Sequence, residues 1–182
     1  IKPIKLKYLR NKKRLSIGEK RHRLIQNANN NLVVFMDDDD LYEPTYISHS
    51  FDTLKKNNAG CVGCNKMIFI YPPYTKNDFY ALDCGDNKKL IHEATLMMTK
   101  SWYNKTCGFL HSNKAEGLGL TQSCKLKTIA LTNPLYNMTA VVHNKNTIDK
   151  DKFKDEGSKL DPTNISFEEK TTEFIKAIVG YS

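Results

Sequence analysis

"NNNLVVFMDDDDLYEP", residues 29–44, places a short apolar run directly before four consecutive aspartates. The run at residues 32–36 has the length of a strand and contains no polar residue, a pattern typical of a strand covered on both faces, as in a parallel sheet. Four adjacent carboxylates repel one another, so holding them in place requires a cation or a helix terminus nearby. In open α/β sheets, ligands bind beyond the carboxyl ends of the strands. The stretch therefore predicts an acidic ligand site at the end of a buried strand.

The aspartate tetrad alone allows two interpretations. Hard carboxylate oxygens suit Mg²⁺ or Mn²⁺, which proteins commonly hold through one or two carboxylates while substrate phosphates complete the coordination shell. The alternative is an exposed acidic loop, in which the aspartates are favoured by the dipole of a helix that begins near Thr45.

The segments around the tetrad have the order of elements found in α/β domains. A strand is predicted at residues 4–9, and a helix at 17–27 with Ser16 as N-cap and Glu19 as its capping-box partner. The apolar strand at 32–36 follows. Further helices are predicted at 45–56, 101–107, 116–124 and 166–179, further strands at 61–71, 77–82, 91–99 and 139–143, and a polar loop at 145–162.

The charge of the chain is concentrated at one end. The formal net charge is +8, and residues 1–23 hold ten Lys or Arg against the single acid Glu19. Such a basic segment marks either a solvated face or an anionic partner, such as nucleic acid, phosphate groups or a membrane surface. With 182 residues and about two fifths of them apolar, the chain is long enough for one sizeable core.

Composition also bears on the compartment. No stretch approaches the roughly 20 apolar residues of a membrane helix, and charges stand where a secretory signal has its apolar core. Five cysteines without small-scaffold spacing favour a reducing compartment. We therefore expect a soluble protein in the cytoplasm or facing it. The sequence begins within a charged stretch that suits either a helix or a strand, which leaves open that an N-terminal segment has been removed.

"LSIGEKRHRLIQNANNNLVVFMDDDDLYEPTYI", residues 15–47, resembles the central motif of family 2 glycosyltransferases. That motif consists of a glycine, a basic pair and a helix, then a buried strand ending in Asp-x-Asp, then an aromatic residue and a proline that open the next helix. "IKLKYLRNKKR" extends the match upstream. The resemblance implies the A-type glycosyltransferase fold, an α/β architecture with a mixed, mostly parallel central sheet flanked by helices, here with a C-terminal helix.

The resemblance also implies a domain organisation. The chain would be a single glycosyltransferase domain, 1–182, that lacks its first strand and the early aspartates which hold the base of the nucleotide. Residues 1–80 would form the nucleotide-sugar half and residues 81–150 the acceptor half. Residues 151–182 would form a polar loop and the C-terminal helix.

The same resemblance assigns roles to the acidic tetrad. By position, residues 37–39 are the Asp-x-Asp element, in which Asp39 is the metal ligand and Asp37 and Asp38 bind the donor. Asp37 lies nearer the nucleotide, and Asp40 orients its neighbours. The implied cation is Mn²⁺ or Mg²⁺, held on the diphosphate of the sugar donor.

The basic pair Lys20 and Arg21 matches the residues that the family places near the nucleotide. There a cation offsets phosphate charge, and a guanidinium can give paired hydrogen bonds. The alternative is a solvated helix face, which suits Lys20 better than Arg21. His22 departs from the asparagine usual at its position.

Three segments of the second half extend the resemblance. "LIHEATLMMTKSWY", residues 90–103, resembles the acceptor-side strand and implies that His92 reaches the donor, although a histidine at a strand start also has structural uses. "NKAEGLGLTQ", residues 113–122, implies Glu116 as general base, with Gly117 where the family often has a second acid. "TAVVHNKNTID", residues 139–149, implies that His143 returns to the metal or the diphosphate.

The cysteines suggest a competing metal site. Cys61 and Cys64 form a C-x-x-C, and Cys84 and Cys107 could complete four thiolate ligands for zinc. The second pair lacks the spacing of a zinc motif, and a strand would direct Cys61 and Cys64 to opposite faces. Structural cysteines are therefore the preferred interpretation.

The resemblance implies a metal-dependent, inverting, hexosyltransferase-like enzyme that moves a sugar from a nucleotide-diphosphate donor to a hydroxyl of a glycan, protein or lipid. One alternative is a nucleic-acid-binding or metal-dependent phosphoryl-transfer protein, although no stacking-aromatic pattern accompanies the basic segment. Another is a nucleotide-sugar-binding relative without turnover.

Overall fold

The computed structural model of the protein describes residues 5–147, 149–161, 171 and 175–177. These residues form two mixed sheets with helices packed against them. The helices are α1 (Ile17–Asn27), α2 (Tyr46–Lys56), α3 (Lys100–Tyr103), α4 (Leu118–Ser123) and α5 (Lys152–Glu156). The strands are β1 (Leu32–Val34), β2 (Leu41–Tyr42), β3 (Cys61–Gly63), β4 (Lys66–Ile70), β5 (Phe79–Asp83), β6 (Met97–Thr99), β7 (Ile129–Leu131), β8 (Met138–Val141) and β9 (Ser158–Lys159).

Helix α1 begins where the sequence predicts. The hydroxyl of Ser16 accepts a hydrogen bond from the Glu19 amide, and the Glu19 carboxylate accepts one from the Ser16 amide, which completes a capping box. Both bonds satisfy amides that have no partner inside the helix. The cap therefore fixes the first turn of α1, from which Lys20 and Arg21 follow.

The strands of the first sheet are not mostly parallel, contrary to the prediction from the sequence. Its strand order is β1-β6-β3-β7, and only β3 and β7 pair in parallel. β1 was expected to be covered on both faces, but it lies at an edge, is antiparallel to β6 and leaves Leu32 36% exposed. The apolar run instead buries Phe35, one residue beyond the strand, in the core with Phe109 and Ile25.

The second sheet has the order β2-β8-β4-β5-β9 and is also largely antiparallel. Only β4 and β8 pair in parallel. β4 and β5 are joined by a short connection and therefore form a hairpin, because a parallel crossover needs a dozen or more residues.

The predicted strand at 61–71 divides between the two sheets. β3 ends at Gly63 in the first sheet, and β4 begins at Lys66 in the second. β7 and β8 pair in parallel with β3 and β4 respectively, so two segments of the chain pass side by side from one sheet into the other. Strand β7 carries no strong strand signal and was not predicted.

Several other elements differ from prediction. Residues 5–9 form no strand, and Leu6 and Tyr8 are 93% and 83% exposed. On α2 the apolar residues Tyr46, Ile47, Phe51 and Leu54 recur at helical spacing, which predicts one buried face. Tyr46 and Leu54 are buried, but Ile47 and Phe51 are exposed. The polar segment 145–162 contains α5 and β9. The predicted C-terminal helix at 166–179 lies almost wholly outside the described residues.

The tetrad lies at the junction of the sheets. Asp37 to Asp40 occupy the turn between β1 in the first sheet and β2 in the second. The amide of Asp37 donates to the Tyr42 hydroxyl, which in turn donates to the carbonyl of Ala94 beside β6. These bonds tie the acidic turn to both sheets.

Candidate active site

The acidic turn opens onto a groove of about 1100 Å³. All the side chains that the sequence predicts to act on the donor or acceptor line it, except the metal-ligand candidate His143. They are Lys20, Arg21, Asp37, Asp38, Asp39, His92 and Glu116. The structure therefore gathers residues from α1, the β1–β2 turn and two later loops around one cavity.

Arg21 joins the donor-side and acceptor-side candidates. Its Nη2 donates to Asp37 Oδ2 at 2.9 Å and its Nε donates to Glu116 Oε1 at 3.1 Å. The side chains of Arg21 and Glu116 are 8% and 5% exposed, and the guanidinium lies 5.1 Å from the centroid of the Phe35 ring. Burial opposes the charge of Arg21, but the two carboxylates outweigh it and raise the pKa of the guanidinium.

Close backbone packing brings Arg21 to Glu116. The amide of Gly18 donates to the carbonyl of Ser112 at 3.0 Å, and a Cβ at residue 18 would collide with the carbonyl oxygen of Leu110. Only glycine permits this approach of α1 to the loop that carries Glu116. The glycine of the "GEKR" stretch is therefore explained by packing.

A second cluster forms around Asp39. His143 Nε2 lies 3.1 Å from Asp39 Oδ2, and the side-chain amide nitrogen of Asn146 lies 2.8 Å from the same imidazole nitrogen and 3.4 Å from Asp39 Oδ2. His143 follows the end of β8, and its imidazole is 6% exposed. Residues more than 100 positions apart thus meet around Asp39. Asn146 was not singled out from the sequence, although it lies in the quoted segment 139–149.

The donor atoms of this cluster fit a divalent cation that is also bound by phosphate. Asp39 offers a carboxylate and His143 an imidazole nitrogen, a set compatible with Mn²⁺ and less usual for Mg²⁺. Among the described residues, no group of three or more His, Cys, Asp or Glu is arranged to hold a metal. Two protein ligands suit a cation whose remaining positions are filled by a diphosphate and water.

The two remaining aspartates differ from each other. Asp38 is exposed at the groove. Asp40 is directed inward, where Oδ1 accepts a hydrogen bond from the Val141 amide at 3.0 Å and lies 3.9 Å from Lys150 Nζ. Burial raises the pKa of Asp40 to about 6, and Lys150 opposes that rise. Asp40 therefore anchors the acidic turn to β8, and Lys150 is a groove residue that the sequence did not single out.

His92 combines a structural contact with a place in the groove. Its Nδ1 accepts a hydrogen bond from the Ala94 amide at 3.3 Å and caps the 3₁₀ turn Glu93–Thr95. Burial lowers the pKa of His92 to about 3, and the positive charges of Lys150 and Arg21 lower it further. The imidazole is therefore neutral near pH 7, so Nε2 carries its proton and can donate a hydrogen bond to a ligand.

We expect His92 to make stability depend on pH. Because its pKa in the folded protein lies below the unfolded value of about 6.5, the unfolded chain binds more protons between these values, and stability falls as pH is lowered through this range. The slope contributed by this group is about 1.4 kcal/mol per pH unit at most. Urea unfolding at pH 7 and pH 5 should give a smaller decrease for His92→Asn, whose Oδ1 can keep the cap. An equal decrease in both proteins would contradict the assignment.

Within the part of the chain that the structure describes, the cysteines form no group of three or more metal ligands. Cys61 and Cys64 are buried, Cys107 is exposed, and all five are free thiols. Burial raises the pKa of Cys61, the opposite of what a thiolate ligand needs. The structural interpretation agrees with the position of Cys61 in the core, as the first residue of β3, and with that of Cys64, buried directly after β3.

One carboxylate near the predicted site was missed. Glu93, in the 3₁₀ turn after His92, lines the groove, and its Oε1 accepts a hydrogen bond from the amide of Gly117 at 3.1 Å. No motif or spacing links Glu93 to Glu116 in the sequence, because the two are brought together only by the packing of their loops.

Comparison with protein-family models identifies the family of the chain. Residues 1–111 match the model of Glycosyl transferase family 2, a span that includes Arg21, the acidic turn and His92 and ends before Glu116 and His143. A search of curated proteins gives no match. Among the described residues, no helix is long and apolar enough to cross a bilayer. Because the matched span covers more than half of the chain, the protein belongs to glycosyltransferase family 2.

Proposed function

We propose that the protein transfers a sugar from a nucleotide-diphosphate donor to a hydroxyl acceptor, depends on a divalent cation and inverts the anomeric carbon. The observation that carries this proposal is the double contact of Arg21 with Asp37 and Glu116. It joins the acidic turn, on the donor side, to the carboxylate expected to act on the acceptor. Both lie at one groove large enough for a sugar nucleotide.

On the donor side, Asp39 and His143 would hold Mn²⁺ or Mg²⁺. When bound, the cation neutralises charge that develops on the departing diphosphate. Asp37 and Asp38 would bind the nucleotide, and Lys20, exposed at the groove, would add positive charge near the phosphates. His92 would donate a hydrogen bond from Nε2–H to an oxygen of the sugar nucleotide. Residues 1–80 thus supply most of the donor half of a single domain.

On the acceptor side, residues 81–150 would supply the general base. A carboxylate removes the proton of the acceptor hydroxyl while the hydroxyl oxygen attacks the anomeric carbon. Glu116 is the predicted candidate for this carboxylate. The bond from that carbon to the diphosphate breaks, and its electron pair leaves with the diphosphate. Attack opposite the leaving group inverts the configuration. A positioned general base contributes about a hundredfold or more to the rate.

Thermal unfolding with nucleotide diphosphates tests this proposal. We expect UDP or GDP together with Mn²⁺ to raise the melting temperature by more than the sum of the increases that the nucleotide and Mn²⁺ give separately. The reason is that the diphosphate supplies ligands to the cation, and the cation supplies a partner to the diphosphate. A ligand at 100 times its Kd stabilises by about 2.7 kcal/mol. Heparin and single-stranded RNA serve as control polyanions, and their stabilisation should fade with added salt.

Two results would count against the proposal. Equal stabilisation by every polyanion, without a metal requirement, would favour the nucleic-acid-binding alternative. Metal-dependent nucleotide binding without release of nucleotide from UDP-glucose, UDP-N-acetylglucosamine or GDP-mannose, in the presence of diverse hydroxyl acceptors, would favour a binding protein without turnover.

A further inference from the structure

The carboxylate of Glu93 occupies the space beside Gly117. A Cβ at residue 117 would lie 2.8 Å from Glu93 Cγ and 2.9 Å from its Oε1. The backbone of Gly117 has a φ of −71°, which any residue can adopt, so the glycine is required by the presence of Glu93 and not by its own conformation. Glu93 therefore brings a carboxylate to the residue that directly follows Glu116.

Glu93 and Glu116 are also coupled electrically. Burial raises the pKa of Glu93, and the negative charge of Glu116 raises it further. The charged groups around Glu93 in the described part of the chain are Glu116, Arg21 and Lys89, while the neighbouring His92 is neutral. Arg21 Nε donates a hydrogen bond directly to Glu116 Oε1 at 3.1 Å, whereas its positive charge opposes the raised pKa of Glu93 only in part.

We propose that Glu93 is a second catalytic carboxylate, which receives the proton of the acceptor hydroxyl as a pair with Glu116. This inference rests on the proposed transfer reaction. The proton leaves the acceptor oxygen as that oxygen bonds to the anomeric carbon, and the diphosphate departs with the electron pair of the broken bond. The proton comes to rest on Glu93, because Glu116 Oε1 already accepts a hydrogen bond from Arg21.

Two carboxylates whose environments differ in this way divide the work of proton transfer. Glu116 is bound by Arg21, and its negative charge makes Glu93 the stronger base. A base whose pKa lies closer to neutrality accepts a proton more effectively at pH 7. Glu93 has the access for this role, since it lines the groove with Glu116 and His92.

The test measures the rate of nucleotide release as a function of pH, with water as the acceptor. The substrate is the sugar nucleotide that, together with Mn²⁺, raises the melting temperature of the wild-type protein most. Glu93→Gln keeps an oxygen for the Gly117 amide but cannot take up the proton. We expect its rate to fall by about a hundredfold or more, with loss of the rise in rate between acidic and neutral pH. Its melting temperature should not fall below the wild-type value, because the neutral amide removes a buried charge that Glu116 repels. Its metal-dependent stabilisation by nucleotide should be unchanged. Glu43→Gln, an exposed glutamate outside the groove, is the matched control.

Two further variants separate catalysis from structure. In Glu116→Gln, loss of the neighbouring charge should lower the pKa of Glu93 and shift the acidic limb of the profile to lower pH. Glu93→Ala combined with Gly117→Asp returns a carboxylate to the same space, and we expect it to regain activity relative to Glu93→Ala alone.

The outcomes distinguish this inference from the proposed function. If Glu93→Gln releases nucleotide at the wild-type rate and with the same pH profile, the catalytic role assigned to Glu93 is wrong, while the transferase proposal stands. If the rate of Glu93→Gln falls together with its stability and its nucleotide binding, the catalytic role of Glu93 is also wrong. Glu93 would then have a purely structural role. Absence of metal-dependent nucleotide binding in the wild-type protein overturns the transferase proposal and this inference with it.

Discussion

Replacing Arg21 with methionine should lower the free energy of unfolding by about 3–5 kcal/mol. The guanidinium is buried between Asp37 and Glu116, and methionine would leave the Glu116 carboxylate, 5% exposed, without its cation. Breaking a buried ion pair by removing one partner is costly because the remaining charge has lost its water. This loss would be a large part of the 5–15 kcal/mol typical of a domain. Urea unfolding measured at pH 7 checks it.

Two companion variants sharpen the Arg21 test. Arg14→Met, at an exposed arginine before α1, should change stability by no more than about 0.5 kcal/mol. Arg21→Lys keeps the charge but lacks the planar fork that reaches both carboxylates, so its stability should fall between those of the wild type and Arg21→Met. Equal unfolding midpoints for Arg21→Met and Arg14→Met would refute the bridging role.

Replacing Asp39 with asparagine should remove the metal dependence of nucleotide binding and lower turnover by about a hundredfold or more. The change keeps the shape of the side chain but removes the charge that, with His143 Nε2 at 3.1 Å, would hold the cation. Titration of Mn²⁺ in the presence of UDP, followed by the melting temperature, measures the first effect, and nucleotide release measures the second. His143→Gln should act in the same direction.

The matched control for Asp39 is Asp52→Asn. Asp52 is an exposed aspartate on α2, outside the groove, so its neutralisation should leave both measurements unchanged. A requirement for Mn²⁺ that persists at wild-type concentrations in Asp39→Asn would show that the cation binds elsewhere, and the proposed metal site would then be wrong.

Much of the fold near the acidic turn could be predicted because its signals are local. Ser16 and Glu19 mark the start of α1 through their own backbone bonds, and the apolar run before Asp37 marks a strand in the correct place. The predicted parallel direction of the strands was wrong, because the direction of a strand relative to its neighbours depends on which segments pair. The apolar run alone does not reveal that β1 pairs antiparallel with β6 at an edge. The exposure of Phe51 likewise depends on how α2 is turned against its sheet.

By itself, the sequence determined the family, the first helix and the order of chemical groups along the chain, since caps, apolar runs and motifs act between neighbouring residues. Only the tertiary structure decided which of those groups meet. Arg21 reaches Glu116 across 95 positions, and Glu93 occupies the space beside Gly117 across 24. Such contacts arise from the packing of α1 and the loops at the junction of the sheets. The physical reason is that the strength of a charge pair depends on distance and burial, which packing sets and local sequence does not.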